Sequence, residues 1–454
     1  MTVANVDLGT FLKIYSTNGI YNNLSTASEM WKLVLKKKGS IAGGRELRYL
    51  LRKSYGSAGY QALPVDDGDY PEGDRSNQQE GVAQYKDFAL TINVPRTVLN
   101  KTGPELLQYA DPLTEEIEAK AIGAARIKSG EAFRDGAGSL GKVATSGRAI
   151  EGGKLAVTLS TASADAERSH VGWFDEEDKI KFAEADATAN NTINNTADTV
   201  AYWRVTEKDE DNDKVILTPY NSSNSAITVS SFAGATDPQE SSHMYRIGTT
   251  PADLTAYSGD YNAITEEMPG WGANITDGIT LNNIAHEGIF KSSTRDVGGN
   301  DLDSSDFQKV LSKVKRRCGK GRYQYKTAFM YDTVYDALVE SRETDRRFQS
   351  VDDGKRGVKM LGYQHANDFV EFVTDEFVPK QRIYLFPESK DVLTYHGTDF
   401  ETVEPNPGQK FHLRPSSTGG GHKRQIQQYM EGHGIMTCKH NAAIAAIKNF
   451  SVAD

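Results

Sequence analysis

Cysteine is nearly absent from this 454-residue chain; only Cys318 and Cys438 occur, far apart. Two distant thiols are no disulfide framework, so a reducing, cytoplasmic origin is the expectation. Long apolar runs are missing too. Nothing has the length of a membrane span, and no membrane partner is expected. The opening MTVANVDLGTFLKIYSTNG lacks the basic segment and apolar core of a secretory leader. Positive charge is in short supply: 52 Lys and Arg stand against 62 Asp and Glu, a net charge of −10. Phosphate backbones are held by Lys and Arg, so any contact with nucleic acid has to be local. The motifs GxxxxGK[ST], HExxH and CxxC are all missing. No catalytic residue, cofactor or metal is assigned, and the chain reads as a non-enzyme.

Three near-misses need weighing. Asp209-Glu210-Asp211-Asn212-Asp213 resembles the start of a calcium loop. Lys214 stands where that loop needs glycine and Tyr220 where it needs a bidentate Glu, so a solvated hairpin turn is the better reading. His412, His422, His433, Cys438 and His440 are metal-ligand types, but their spacings fit no paired-ligand pattern. Cys438 and His440 could share a strand face, yet no orienting motif surrounds them.

The hydrophobic content of 38% and charged content of 25% suit ordinary soluble domains, and the length suits about three of them. Two segments stand out as strands. One is Glu46 to Arg52. The other is Tyr85 to Val94, where Phe88, Leu90, Ile92 and Val94 alternate with Asp87, Ala89, Thr91 and Asn93. Between them, Gly56 to Gly81 is turn-rich and polar. A loop that long usually has a task, and a lone two-strand ribbon is marginal in water. The ribbon is expected to be completed by a second copy of the chain. The alternative is a disordered surface loop on a monomer.

Residues 1–42 read as an arm. Its patch of Trp31, Leu33, Val34 and Leu35 predicts a short helix ending in Lys36-Lys37-Lys38, where the helix dipole favours cations. A membrane-surface anchor is the rival reading. Asp111 as cap, Pro112 at the first helical position and an acidic first turn predict a long helix. Residues 150–265 change character. Short alternating segments are separated by Asn, Asp, Ser and Thr, and Asp165 to Lys214 holds 14 acidic residues against 6 basic. An inserted, acidic, all-β module with a solvated outer surface is expected. Beyond residue 300, helices and strands alternate, and Asn441 to Ile447 suggests a tail tied into a core. The whole is an α+β chain.

The only strong basic run is Lys313, Lys315, Arg316, Arg317, Lys320 and Arg322. It could touch DNA or a neighbouring subunit, or be a solvated helix end matched to the dipole.

The order of these segments resembles the major capsid proteins of tailed bacteriophages, with the Hong Kong 97 capsid fold. Residues 1–42 correspond to its N-terminal arm and 43–98 to its extended loop. Residues 99–149 correspond to a peripheral domain with a spine helix near 104–134. The 150–265 block fits the insertion domains that some members carry, and 266–454 the axial domain with the remaining peripheral strands. Asn274 to Thr280, Gly298-Gly299 and the helix from Phe307 to Arg317 resemble the entry to the axial domain. Arg382 to Phe386 and Gln428 to Gly432 resemble later strands.

The resemblance implies hexamers and pentamers of this chain in an icosahedral shell around double-stranded DNA. It implies a virion capsid assembled in the bacterial host cytoplasm with scaffolding and portal proteins. A decoration or cement protein is a further implied partner. The extended-loop tip, Asp66, Asp67, Asp69, Tyr70, Glu72, Asp74 and Arg75, would lie between subunits. No residue matches the Lys–Asn crosslink of some members. Two rivals remain: an encapsulin-like cellular nanocompartment shell of the same fold, and a multidomain hydrolase with an appended β-domain.

Overall fold

The computed structural model describes residues 28–38, 46–52, 78–95, 112–184, 200–229, 238–247, 267–318, 324–341, 362–365, 368–387, 392–397, 401–402, 412–415 and 422–451. A single helical turn, α1 (Met30–Leu33), leads into strand β1 (Leu35–Lys38). Strands β2 (Glu46–Arg52), β3 (Gln78–Gln84) and β4 (Lys86–Pro95) precede the long helix α2 (Pro112–Phe133). The middle of the chain is β5 (Ser139–Glu151), β6 (Lys154–Leu159), β7 (Lys179–Ala183), β8 (Tyr202–Asp209), β9 (Lys214–Tyr220) and β10 (His243–Arg246). Then come α3 (Trp271–Ile275), β11 (Thr280–Leu281), β12 (Ile284–Ala285), β13 (Ser293–Asp296), α4 (Ser304–Cys318), β14 (Tyr325–Met330) and α5 (Asp332–Ser341). The rest is mostly strand: β15 (Gly362–His365), β16 (Asp368–Thr374), β17 (Arg382–Pro387), β18 (Leu393–Gly397), β19 (Glu401–Thr402), β20 (His412–Pro415), β21 (His422–Cys438) and β22 (Ala445–Lys448).

These strands form two six-stranded sheets, a closed barrel, a two-stranded ribbon and a hairpin. One sheet runs β13-β22-β17-β14-β16-β15. Its centre is apolar on both faces: Ile383, Tyr384, Leu385, Ala445, Ala446 and Ile447 are all fully buried. Helix α4 packs on it with Phe307, Val310, Leu311 and Val314, spaced as one helical face. The other sheet is built on β21, which pairs β4 along one stretch and β18, β19 and β20 along others; β1 adds to β18 in parallel. The C-terminal tail is thus the middle of one sheet and part of the core.

The alternation of Tyr85 to Val94 is real, but its partner is not β2. β4 pairs with β21 from Lys86↔Gly434 to Pro95↔Gln425. The partner of β2 is β3, from Glu46↔Gln84 to Arg52↔Gln78. β3 reads QQEGVAQ, too small and polar to signal a strand, yet Gly81 and Ala83 are buried. Gly81 has a packing reason: a Cβ there would meet the Tyr49 ring at 2.7 Å.

The N-terminal expectation also changes. Lys36, Lys37 and Lys38 lie on strand β1, opposite Tyr395, His396 and Gly397, and not at a helix end. Ser28, Met30, Trp31 and Val34 belong to the core. Trp31 is fully buried, packs edge-on against Tyr395 at 5.1 Å, and donates its Nε1–H to Ser129 Oγ at 3.1 Å. Such burial is incompatible with a free arm at these positions.

The six middle strands close as β10-β5-β6-β9-β8-β7. The barrel therefore starts at Ser139, ahead of the expected 150, because β5 carries both the β10 and β6 pairings. Ala226 to Val229 is no strand; a single bridge joins Ala226 to Tyr220. The barrel interior is filled by Leu155, Val157, Phe174, Phe182, Trp203, Val205, Val215 and Leu217, all at or near zero exposure.

Candidate functional site

The barrel does not stand away from the rest of the chain. It meets the turn between β16 and β17, Asp375 to Gln381, and two other parts of the chain meet there too. His170 Nε2–H donates to the Glu376 carbonyl at 2.8 Å, and Trp173 Nε1–H donates to the Phe377 carbonyl at 2.9 Å. From α2, Arg126 reaches Asp175 of the barrel segment at 3.0 Å and Glu376 of the turn at 2.9 Å. From the N-terminal segment, the Ser28 hydroxyl donates to the Asp375 carboxylate, which also accepts Phe377 N–H at 3.1 Å. Just past the turn, Arg382 reaches Glu167 at 2.6 Å and Ser163 O at 2.6 Å. Lys380 pairs with Asp213 at 3.0 Å.

Burial shapes the electrostatics of this junction. Loss of water pushes the His170 imidazole down to about 4, and it stays neutral at pH 7. The same cause pushes Asp375 up to about 6. The acidic surplus of the barrel segment is therefore largely internal bookkeeping: Asp165, Glu167, Asp175, Asp178 and Asp213 are all ion-paired, to Lys142, Arg382, Arg126, Arg246 and Lys380. A wholly solvated acidic surface does not describe them.

A second surface surrounds the ribbon. One face of β2 rests on its own chain: Leu51, with Tyr49 against it, packs on Ile284 and Phe290. The β11–β12 hairpin holds β3 through Val82 N–H to Asn282 O at 2.8 Å, and Gln79 Nε2–H to Asn283 O at 2.9 Å. Asn282 and Asn283 sit at φ of 55° and 61°, the left-handed pair a tight hairpin turn requires. The opposite face of β2 is open: Leu50 is 70% exposed, between exposed Arg48 and the side of Glu80. The expected loop-tip residues Asp66, Asp67, Asp69, Tyr70, Glu72, Asp74 and Arg75 lie outside the described residues.

The basic run is divided by the structure. Lys313 donates to Thr294 O at 2.7 Å, and Arg317 to Ser292 O at 2.7 Å and Gly288 O at 2.8 Å. These two cations tie α4 to β13 and to the strap before it. Arg316 is exposed and Lys315 half-buried, and Lys320 and Arg322 lie outside the described residues.

The near-misses have local roles. Asp209 accepts from Asn212 N–H and Nδ2–H within the β8–β9 turn. His433 pairs with Asp87 across β21 and β4, and Cys438 is buried in the sheet with its thiol pushed up to about 12. The side chains of His412 and His422 lie outside the described residues. One pair had no signal in the sequence: Ser139 Oγ lies 3.0 Å from His243 Nδ1. The Ser139 hydroxyl donates to Arg168 O, so His243 donates to the hydroxyl. Both residues are buried, on the paired strands β5 and β10. Nor could the sequence show the Ser28, Arg126 and Glu376 junction, whose members lie hundreds of residues apart.

No protein-family model matches the chain, and no curated protein does. Among solved structures, it is similar to a chain of the capsid asymmetric unit of cyanophage A-1(L). Identity is 10%, coverage 93% of this chain and 92% of that one, and the TM-score 0.45. It is similar to the capsid of an empty GTA particle at 10% identity, 94% and 90% coverage and a TM-score of 0.42. It is also similar to the holo-SrpI encapsulin complex from Synechococcus elongatus PCC 7942 at 9% identity, 94% and 88% coverage and a TM-score of 0.40.

Proposed function

We propose that the chain is a shell subunit of the tailed-phage capsid type, non-enzymatic, self-assembling as hexamers and pentamers around double-stranded DNA. The observation that carries this reading is the ribbon β2–β3. Among the described residues it is fastened to its own subunit on one face and presents Leu50 on the other. The resemblance in the order of arm, ribbon, long helix, inserted β module and C-terminal sheet supports the same reading. In this reading the domains follow the sequence outline with three changes: residues 28–38 join the core, β4 joins the sheet of β21, and the inserted module begins at the first barrel strand. Scaffolding, portal and decoration proteins are partners of the assembling shell in the host cytoplasm. Contact with DNA is electrostatic and local, and Arg316 is the described member of the basic run left for it.

The test is electron microscopy of the purified chain together with nuclease treatment of the particles. Closed shells that protect duplex DNA are expected for the wild type. Leu50→Lys should leave the subunit folded by circular dichroism and prevent shell closure. A wild-type chain that stays monomeric in size-exclusion chromatography overturns the proposal. Shells that load a protein cargo and no DNA would move it to the nanocompartment reading.

A further inference from the structure

His286 follows the hairpin that carries the ribbon, and it is 2% exposed. Its ring is held at both nitrogens. Nδ1–H donates to Thr276 O at 3.1 Å, and Nε2 receives a hydrogen from Asn441 Nδ2 at 2.6 Å. A carbonyl can only accept, so Nδ1 carries the proton and Nε2 is the bare nitrogen. Asn441 opens the 3-10 turn before β22, which lies between β13 and β17 in its sheet. A continuous path therefore runs from the ribbon at Val82, through Asn282 and the hairpin, to His286 and the core at Asn441.

We propose that His286 is a pH-sensitive pin. Neutral, it fastens the ribbon-bearing hairpin to the core; protonated, it lets go while the sheet stays folded. A second proton on the ring would place an N–H against the Asn441 amide hydrogens, donor facing donor. The consequence for shell assembly rests on the reading of the ribbon as an intersubunit arm; the pin itself does not.

The charged groups around the ring are few and balanced. Asp277 lies on the turn beside Thr276 and favours the cation, but Lys291 holds it at 3.2 Å and Ser292 Oγ is near it as well. Glu287 is next in the chain and His440 precedes Asn441. From α4, Lys313 and Arg317 approach Asp277 and are spent on Thr294, Ser292 and Gly288 carbonyls. Loss of water is the largest influence on the ring and holds it below the ordinary imidazole range. The released state has an ordinary imidazole. The fastened state is thus complete above about pH 6.5 and weakens as pH falls below it.

The experiment is amide hydrogen exchange on the unassembled full chain, corrected for the intrinsic rate at each pH. Opening at Val82 and His286 should rise by up to about tenfold between pH 7.5 and 5.5, the factor set by protonating an ordinary imidazole. Amides of β17 should not change. His286→Gln should abolish the pH dependence. Asn441→Asp offers a carboxylate to a charged ring and should hold the hairpin closed at pH 5.5. Equal opening at both pH values, or a His286→Gln chain that keeps the wild-type pH response, overturns the pin. If His286→Gln does not fold, an Asn441→Asp chain that opens at pH 5.5 as the wild type does overturns it equally. None of these readouts depends on shell formation, so the pin and the shell can fail separately.

Discussion

Arg126 Nη1 lies 2.9 Å from Glu376 Oε1, joining the long helix to a turn 250 residues further along the chain. Its Nε holds Asp175 as well, so one guanidinium clamps helix, barrel and turn. The fork geometry suits Arg and not Lys. Arg126→Lys should lower stability by about 1 kcal/mol, and Arg126→Ala by about 1–2 kcal/mol, since the pairs are part-exposed. Urea midpoints at pH 7 measure this; unchanged midpoints would make the clamp incidental.

The buried N-terminal indole gives a larger effect. Trp31→Ala removes a fully buried side chain that packs on Tyr395 and bonds Ser129. A loss of about 3–5 kcal/mol is expected in chemical unfolding. A loss under about 1 kcal/mol would return residues 28–34 to the status of a dispensable arm.

The basic run separates into structural and surface members. Arg317→Gln breaks bonds to the Ser292 and Gly288 carbonyls and should cost about 1–3 kcal/mol. Arg316→Gln, on an exposed side chain, should stay within about 0.5 kcal/mol. Thermal unfolding of the two variants side by side distinguishes them.

Two groups of the junction titrate in opposite senses. His170 is depressed to about 4, so its contribution is full above about pH 6.5 and is lost as pH falls toward 4. Asp375 is raised to about 6, so its contribution is present below about pH 3.9 and is lost as pH rises through 6. Asp375→Asn should therefore remove the decline in stability between pH 4 and 6 and leave the His170 limb. Stability against pH for both chains checks the sign; parallel curves would refute it.

Strand existence was legible wherever large apolar residues alternate, as at Phe88, Leu90 and Ile92. Pairing was not. β3 hides its buried face behind Gly81 and Ala83, which carry no hydropathy signal, so the pattern points to β4 as the second ribbon strand. β1 failed for the opposite reason: three lysines suit a helix end by charge, while the strand is imposed by backbone pairing with β18. The barrel boundary slipped because β5 is polar and bulged between Val143 and Arg148. The junction at Asp375 to Gln381 is made of ordinary polar residues that only tertiary contact brings together.

The pairing of β1 with β18 and of β4 with β21 has a consequence for synthesis of the chain. A sheet whose middle strand is β21 cannot form until residues 422–438 have left the ribosome. The barrel has its six strands between Ser139 and Arg246 and can close long before. Folding is therefore ordered from the middle outward, with local contacts first and the most distant last. The ribbon's support hairpin is pinned by Asn441, just ahead of β22, the last strand among the described residues. A nascent chain that stops short of Asn441 thus has no fastened ribbon.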